Sequence, residues 1–280
     1  MKTSSRQMAT DRLAQSVVIA ASLPTVPMLW RENVYGHWER LKWIKGYLTP
    51  GARTLEFGCG TGCMITLPLL SQGMDIYGID RSKESIAYGR DIFSRYGFDA
   101  TRLLDGDLTD IHQQFDLIVA SEVLEHLSDD ELPRVLALLR ERLKVGGKLL
   151  VTVPNGFGLF ELDSLLYFKF GLGRLAERMR MTRVLERLKT MIQGQAYQDC
   201  PYRSTLDASP HLQRFTYSAI QALLEKNGYE ILECKGSTLA SGPFCHLLFS
   251  GYERIMDLNS RMGARLPAVA ADFCVAATLK

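Results

Sequence analysis

The sequence predicts an α/β chain built on a doubly wound, mostly parallel sheet that carries helical insertions. Three observations predict it. Between Thr54 and Ala120, short apolar runs alternate with helical stretches long enough to cross from one parallel strand to the next. The first of those runs passes directly into a glycine-rich loop, the place where sheets of this kind hold a ligand. Finally, 280 residues with 46% hydrophobic and 23% charged side chains suffice for a sizeable core. That composition excludes disordered, collagen-like and disulfide-scaffold classes.

Residues 1–30 show no sustained period and contain the breakers Pro24 and Pro27, so they read as a loosely attached arm before a domain spanning 31–280. Trp38, Leu41, Trp43, Ile44 and Leu48 recur at helical spacing until Pro50-Gly51 stops the helix. The alternation then runs strand Thr54 to Phe57, helix Met64 to Leu70, strand Asp75 to Ile79, helix Lys83 to Tyr96, strand Ala100 to Leu104 and strand Phe115 to Ala120. A helix from Glu131 to Leu143 ends in Lys144 and Gly146-Gly147, a basic last turn followed by glycine stops. The fifth strand, Lys148 to Val153, closes on Pro154-Asn155-Gly156. A first insertion at about 159–205 interrupts the rhythm. The rhythm resumes with a helix from Tyr217 to Asn227, a strand from Tyr229 to Cys234, a second insertion at about 242–267 and a terminal strand from Phe273 to Thr278.

The formal net charge is only +2, so no field over the whole molecule marks a nucleic-acid binder, and no DNA partner is expected. No apolar run approaches the roughly eighteen residues of a membrane span. The apolar stretch from Val17 to Leu23 is too short and too late for a signal peptide, which points to a cytoplasmic protein. Six cysteines without a CxxC pair argue for reduced thiols and against structural zinc.

The most specific stretch is Leu55-Glu56-Phe57-Gly58-Cys59-Gly60-Thr61-Gly62. Alternating glycines let the backbone turn tightly and a ligand approach without Cβ interference. A dinucleotide fingerprint requires G-x-G-x-x-G, whereas this loop is G-x-G-x-G with Glu56 ahead of it, positioned for a cationic amine. The second strand delivers Asp80 about 20 residues beyond the glycines, where a carboxylate accepts from ribose hydroxyls. The third delivers Asp107, suited to an adenine amino group, and the fourth runs into Ser121-Glu122-Val123-Leu124-Glu125-His126.

Taken together, residues Leu55 to Val153 resemble the class I S-adenosylmethionine-dependent methyltransferases. The resemblance implies a Rossmann-like methyltransferase fold of seven strands, the last antiparallel and inserted beside the strand Tyr229 to Cys234. It also implies S-adenosyl-L-methionine as cofactor: Glu56 at the amino end of the methionine moiety, Gly58, Gly60 and Gly62 lining it, Asp80 on the ribose, Asp107 and Leu108 at the adenine, and Ser121 near the sulfonium. Glu122, Glu125 and His126, then Pro154-Asn155, then His211 ahead of Phe215-Thr216, resemble two metal-dependent groups: ubiquinone-biosynthesis O-methyltransferases and the methyltransferases of the terminal ribose of small RNAs. Glu122, Glu125, His126 and His211 are accordingly candidate ligands of Mg²⁺ or Mn²⁺. Without a metal, His126 or His211 is the candidate general base. The expected acceptor is an oxygen of a small-molecule, lipid-linked or glycan compound. An RNA ribose, a non-catalytic regulatory role and a nicotinamide oxidoreductase remain as alternatives, the last disfavoured by the glycine spacing.

Lys169 to Lys189 holds seven basic and two acidic residues. Met181, Val184, Leu185, Leu188 and Ile192 share one helical face and Arg180, Arg183 and Arg187 another. This insertion reads as a lid over the site, a groove for an anionic acceptor, or a peripheral membrane contact through 160–192.

Overall fold

The computed structural model describes residues 37–193, 211–249 and 252–280. The expected arm at 1–30 and positions 194–205 of the first insertion lie outside the described residues. The strands are β1 (Thr54–Phe57), β2 (Ile76–Asp80), β3 (Leu103–Asp105), β4 (Phe115–Ser121), β5 (Leu143–Pro154), β6 (Tyr229–Gly236) and β7 (Asp272–Leu279), in the spatial order β3-β2-β1-β4-β5-β7-β6. The first five pair in parallel, and β7 inserts antiparallel between β5 and β6. The winding reverses between β1 and β4, which opens the cleft at their carboxyl ends.

Alternate residues of the central strands face opposite layers. Leu117, Val119 and Leu150 pack with Leu41, Trp43 and Ile44 of α1 (His37–Lys45) and with Leu69 of α2 (Thr66–Leu70). Ile118, Ala120 and Val151 pack with Val135, Leu136 and Leu139 of α4 (Glu131–Arg142) and with Ile220 and Leu224 of α8 (Tyr217–Lys226). Strands buried on both faces are what crossover connections produce. Helix α3 (Lys83–Arg95) covers the β3 edge; it starts at Ser82, whose hydroxyl accepts from Ser85 N.

Several element boundaries differ from the sequence reading by one to five residues, and β5 starts at Leu143 and runs through Gly146-Gly147, which the sequence read as a helix stop; two of the differences have a local cause. Asp99 accepts from Thr101 N and caps a turn of 3₁₀ helix over Ala100–Arg102, so β3 begins at Leu103. The helix expected to reach Leu143 stops at Arg142, because Leu143 pairs with Phe115 and already belongs to β5. The described part of the first insertion folds as α5 (Leu159–Ser164), a π turn (Leu165–Lys169), α6 (Leu172–Arg178) and α7 (Met181–Gln193); the second supplies α9 (Pro243–Phe249) and α10 (Glu253–Arg265).

Candidate active site

The glycine loop leaves β1 with Gly58, Gly60 and Gly62 at φ of 71°, 56° and 69°, conformations that L side chains rarely adopt. Their surroundings differ. A Cβ on Gly58 would lie 2.5 Å from Val123 Cγ2 and one on Gly62 2.4 Å from Leu103 Cδ2, whereas one on Gly60 meets nothing within 4 Å. Gly58 and Gly62 therefore permit packing, and Gly60 lines open space. Asp80 braces the loop, accepting from Gly60 N at 2.7 Å and Ser82 N at 2.8 Å.

Glu56 is 4% exposed, and its Oε2 accepts from both the backbone N–H and the hydroxyl of Thr66. Burial pushes its carboxyl up to about 7, against the opposing effect of those two bonds. Asp107 accepts from Leu108 N at 2.7 Å and pairs with Arg81 at 3.0 Å. Leu108, expected at the adenine, donates its N–H to Asp107 and is itself buried. Open space lies beside Gly60, and Glu56, Asp80 and Asp107 stand at or just beyond the carboxyl ends of β1, β2 and β3.

At the end of β4, a chain of polar groups runs inward. Ser121 Oγ lies 2.8 Å from Thr152 Oγ1, which donates to Glu122 Oε1 at 3.0 Å, leaving Ser121 as the donor to Thr152. Glu122 adopts φ 54°, a left-handed conformation uncommon outside glycine, and is held there by Arg40 at 3.4 Å. Arg40 also reaches Asp272 at 3.5 Å, and all three groups lie in or near the core. Burial raises the Asp272 carboxyl to about 6, with Glu122 adding to the rise and Arg40 opposing it.

Here the structure corrects the four-residue set. Glu125, His126 and His211 bring ligand atoms within 4.8 Å of one another, whereas Glu122 stands outside that group because Arg40 and Thr152 engage it. The two imidazole rings meet edge to face at 5.2 Å between centroids. Main-chain bonds bring His211 across: Asn155 bridges Phe215, Gly156 N donates to Phe215 O, and Leu212 N and Gln213 N both donate to Glu125 O. Glu125 is 1% exposed, neither carboxylate oxygen has a hydrogen-bond partner among the described residues, and burial, then Glu122, raises its carboxyl well above the usual range. Burial and the neighbouring His126 lower the titration of His211.

The sequence reading missed Arg40, Thr66 and Asp272. Arg40 carried a signal: it sits one position before Leu41 and four before Ile44, on the buried stripe of α1, where a cation requires a buried partner.

A doubly wound sheet with this loop and acidic groups after three successive strands defines a protein that binds a nucleoside-bearing cofactor and uses it at the strand ends. A family model described as a methyltransferase domain matches residues 35–234, and the chain belongs to that family of S-adenosylmethionine-dependent methyltransferases. It is 32% identical over 121 residues to an uncharacterized methyltransferase of Bacillus cytotoxicus, covering 42% of this chain and 54% of that one. It is 31% identical over 107 residues to a ubiquinone biosynthesis O-methyltransferase of Cereibacter sphaeroides, covering 38% and 42%. The chain thus spans about half the length, or less, of these curated relatives. Among solved structures, an S-adenosylmethionine-dependent methyltransferase from Archaeoglobus fulgidus superimposes with a TM-score of 0.50 at 17% identity over 89% of this chain and 94% of that one. One from Clostridium acetobutylicum does so with 0.50 at 13% over 88% and 92%. These two show a shared fold.

Proposed function

We propose that the chain moves the methyl group of S-adenosylmethionine to an oxygen of a small-molecule, lipid-linked or glycan acceptor. One observation carries this reading: two imidazoles and a buried carboxylate converge where β4 ends, beside the cleft of the glycine loop. Transfer to a hydroxyl requires the acceptor oxygen to lose its proton as it attacks, and an imidazole is the side chain suited to take one near neutral pH. In this reading Asp80 and the backbone at Gly60 orient the donor, Glu56 holds its ammonium, and Ser121 lies beside the sulfonium. A nitrogen of His126 or His211 receives the acceptor proton. The positioning of donor and acceptor in line supplies most of the acceleration. The ubiquinone biosynthesis O-methyltransferase among the relatives supports an oxygen acceptor.

A metal-assisted form is favoured by the two buried oxygens of Glu125, which have no hydrogen-bond partner among the described residues, His126 Nε2 standing 3.8 Å from Oε1. Glu125, His126 and His211 would hold a divalent cation, whose chemistry is to lower the hydroxyl's pKa. With Glu122 outside the set, two imidazoles and one carboxylate suit Mn²⁺ better than Mg²⁺. Transfer of a labelled methyl group to phenolic and sugar acceptors, with and without chelator, tests both forms. Loss of transfer on chelation, restored by Mn²⁺, supports the metal; transfer that survives exhaustive chelation assigns proton removal to a histidine alone.

A further inference from the structure

The cofactor cleft does not account for the outer face of the insertions. Among the described residues, 25 large apolar side chains are exposed, and 21 of them fall within 157–191 and 248–269. Phe157, Phe170 and Met191 are 71%, 65% and 80% exposed. The two segments join in one body: Asp163 of α5 accepts from Phe244 N and Cys245 N of α9, and Tyr167 meets Phe244 edge to face at 4.9 Å.

Helix α7 shows how this face is organised. Of the apolar face read from the sequence, Met181, Val184 and Leu188 are exposed, together with Met191 at the next helical turn, while Leu185 is half-buried; an amphipathic helix of a globular protein ordinarily turns such a stripe inward. Arg183 and Arg187 run alongside, exposed, and Arg180, which the sequence placed on the same helical face, instead sits in a left-handed turn (φ 55°) just ahead of α7 and is exposed there. A lid packed on the sheet through this stripe, one of the three roles the sequence left open, would bury it.

We propose that this face docks on an anionic lipid bilayer. Charge complementarity selects that occupant: residues 169–189 carry seven basic and two acidic side chains. Arginines beside an apolar stripe extend to lipid phosphates while their stems lie on the acyl boundary. Such a surface holds the chain flat on the membrane with the first insertion, which leaves the sheet at Asn155 beside the active-site cleft, against the lipid. The proposal goes beyond the acceptor reading and does not depend on it, since docking is measured without any transfer.

Flotation of the full chain with phosphatidylglycerol–phosphatidylcholine vesicles tests it, with phosphatidylcholine vesicles alone as the comparison. The chain is expected to float with the anionic vesicles and to remain behind with the neutral ones. Changing Arg180, Arg183 and Arg187 to Gln together is expected to weaken partitioning about a hundredfold, at about fivefold per arginine. Val184→Glu with Leu188→Glu is expected to abolish it. Both sets change exposed side chains, so cofactor binding and the melting temperature should hold, which separates a docking defect from a folding defect. No flotation with anionic vesicles overturns the proposal, as does partitioning unaffected by either set. A vesicle-free dimer that Val184→Glu and Leu188→Glu convert to monomer, with no lipid binding by the parent chain, identifies a second copy as the occupant instead.

Discussion

Glu56 links cofactor affinity to pH. Its carboxyl titrates at about 7, so roughly half of the free protein carries the charge at neutral pH. In the proposed function Glu56 holds the donor's ammonium, which only its ionised form can pair with, so that the affinity is expected to scale with the ionised fraction. That fraction is about nine-tenths at pH 8 and about one-tenth at pH 6, which gives roughly tenfold tighter binding at pH 8, or about 1.4 kcal/mol. Calorimetry with the demethylated cofactor at pH 6, 7 and 8 measures this directly. Buffers of different ionisation enthalpy should report close to one proton released per site at pH 6 and close to none at pH 8. Glu56→Gln keeps the shape and an acceptor for Thr66 but removes the charge. It should flatten the profile and weaken binding at pH 8 by about 1.5–3 kcal/mol, the range for a hydrogen bond to a charged group. Titration of the cofactor's own amine is common to both proteins and cancels in their difference. Affinity in the parent chain constant within twofold from pH 6 to 8, or an identical slope in Glu56→Gln, would refute the assignment of Glu56 to the ammonium.

Arg40→Met leaves Asp272 buried and Glu122 half-buried without their shared cation, a loss of about 3 kcal/mol that should lower the melting temperature by roughly 10 °C. A thermal scan showing a drop of only about a degree would remove Arg40 from the supports of the site. Gly60→Ala meets no neighbour, so the fold should lose only about 1 kcal/mol of backbone strain, while cofactor affinity falls because the new methyl occupies the open side of the loop. Unchanged affinity measured by calorimetry would move the cofactor away from Gly60.

How far the sequence reveals this molecule depends on the range of the interaction. The loop from Gly58 to Gly62 and the position of Asp80 beyond it were readable because a strand, a turn and a fixed spacing carry them; the bond that Gly60 N donates to Asp80 was no part of that reading, because it joins two turns that are neighbours only in the folded sheet. The antiparallel placement of β7 came from the family resemblance, since nothing in Phe273 to Thr278 distinguishes its direction. His211 lies 85 residues beyond His126, and what joins them is the pairing of Asn155 with Phe215 and of Leu212 and Gln213 with the Glu125 carbonyl, main-chain bonds that leave no pattern in the side chains. Glu122 entered the metal set because E-x-x-E-H groups it with Glu125; the competing claim of Arg40, from a helix 82 positions earlier, became visible only in three dimensions. For α7 the two stripes were legible and their orientation was not, because periodicity shows that a helix has two faces without showing which one meets the protein.

In the proposed reaction the cleft delivers the methyl group to an oxygen whose proton passes to the cluster of Glu125, His126 and His211. The most direct measurement is the chemical linkage of a labelled methyl group transferred from S-adenosylmethionine, read in the parent chain and in His211→Ala. Label is expected in a base-stable methyl ether, with the rate lowered by at least about a hundredfold in His211→Ala, the scale of general-base catalysis, and cofactor binding retained. Label appearing on nitrogen or in a base-labile ester, or an ether formed at an undiminished rate by His211→Ala, would contradict it.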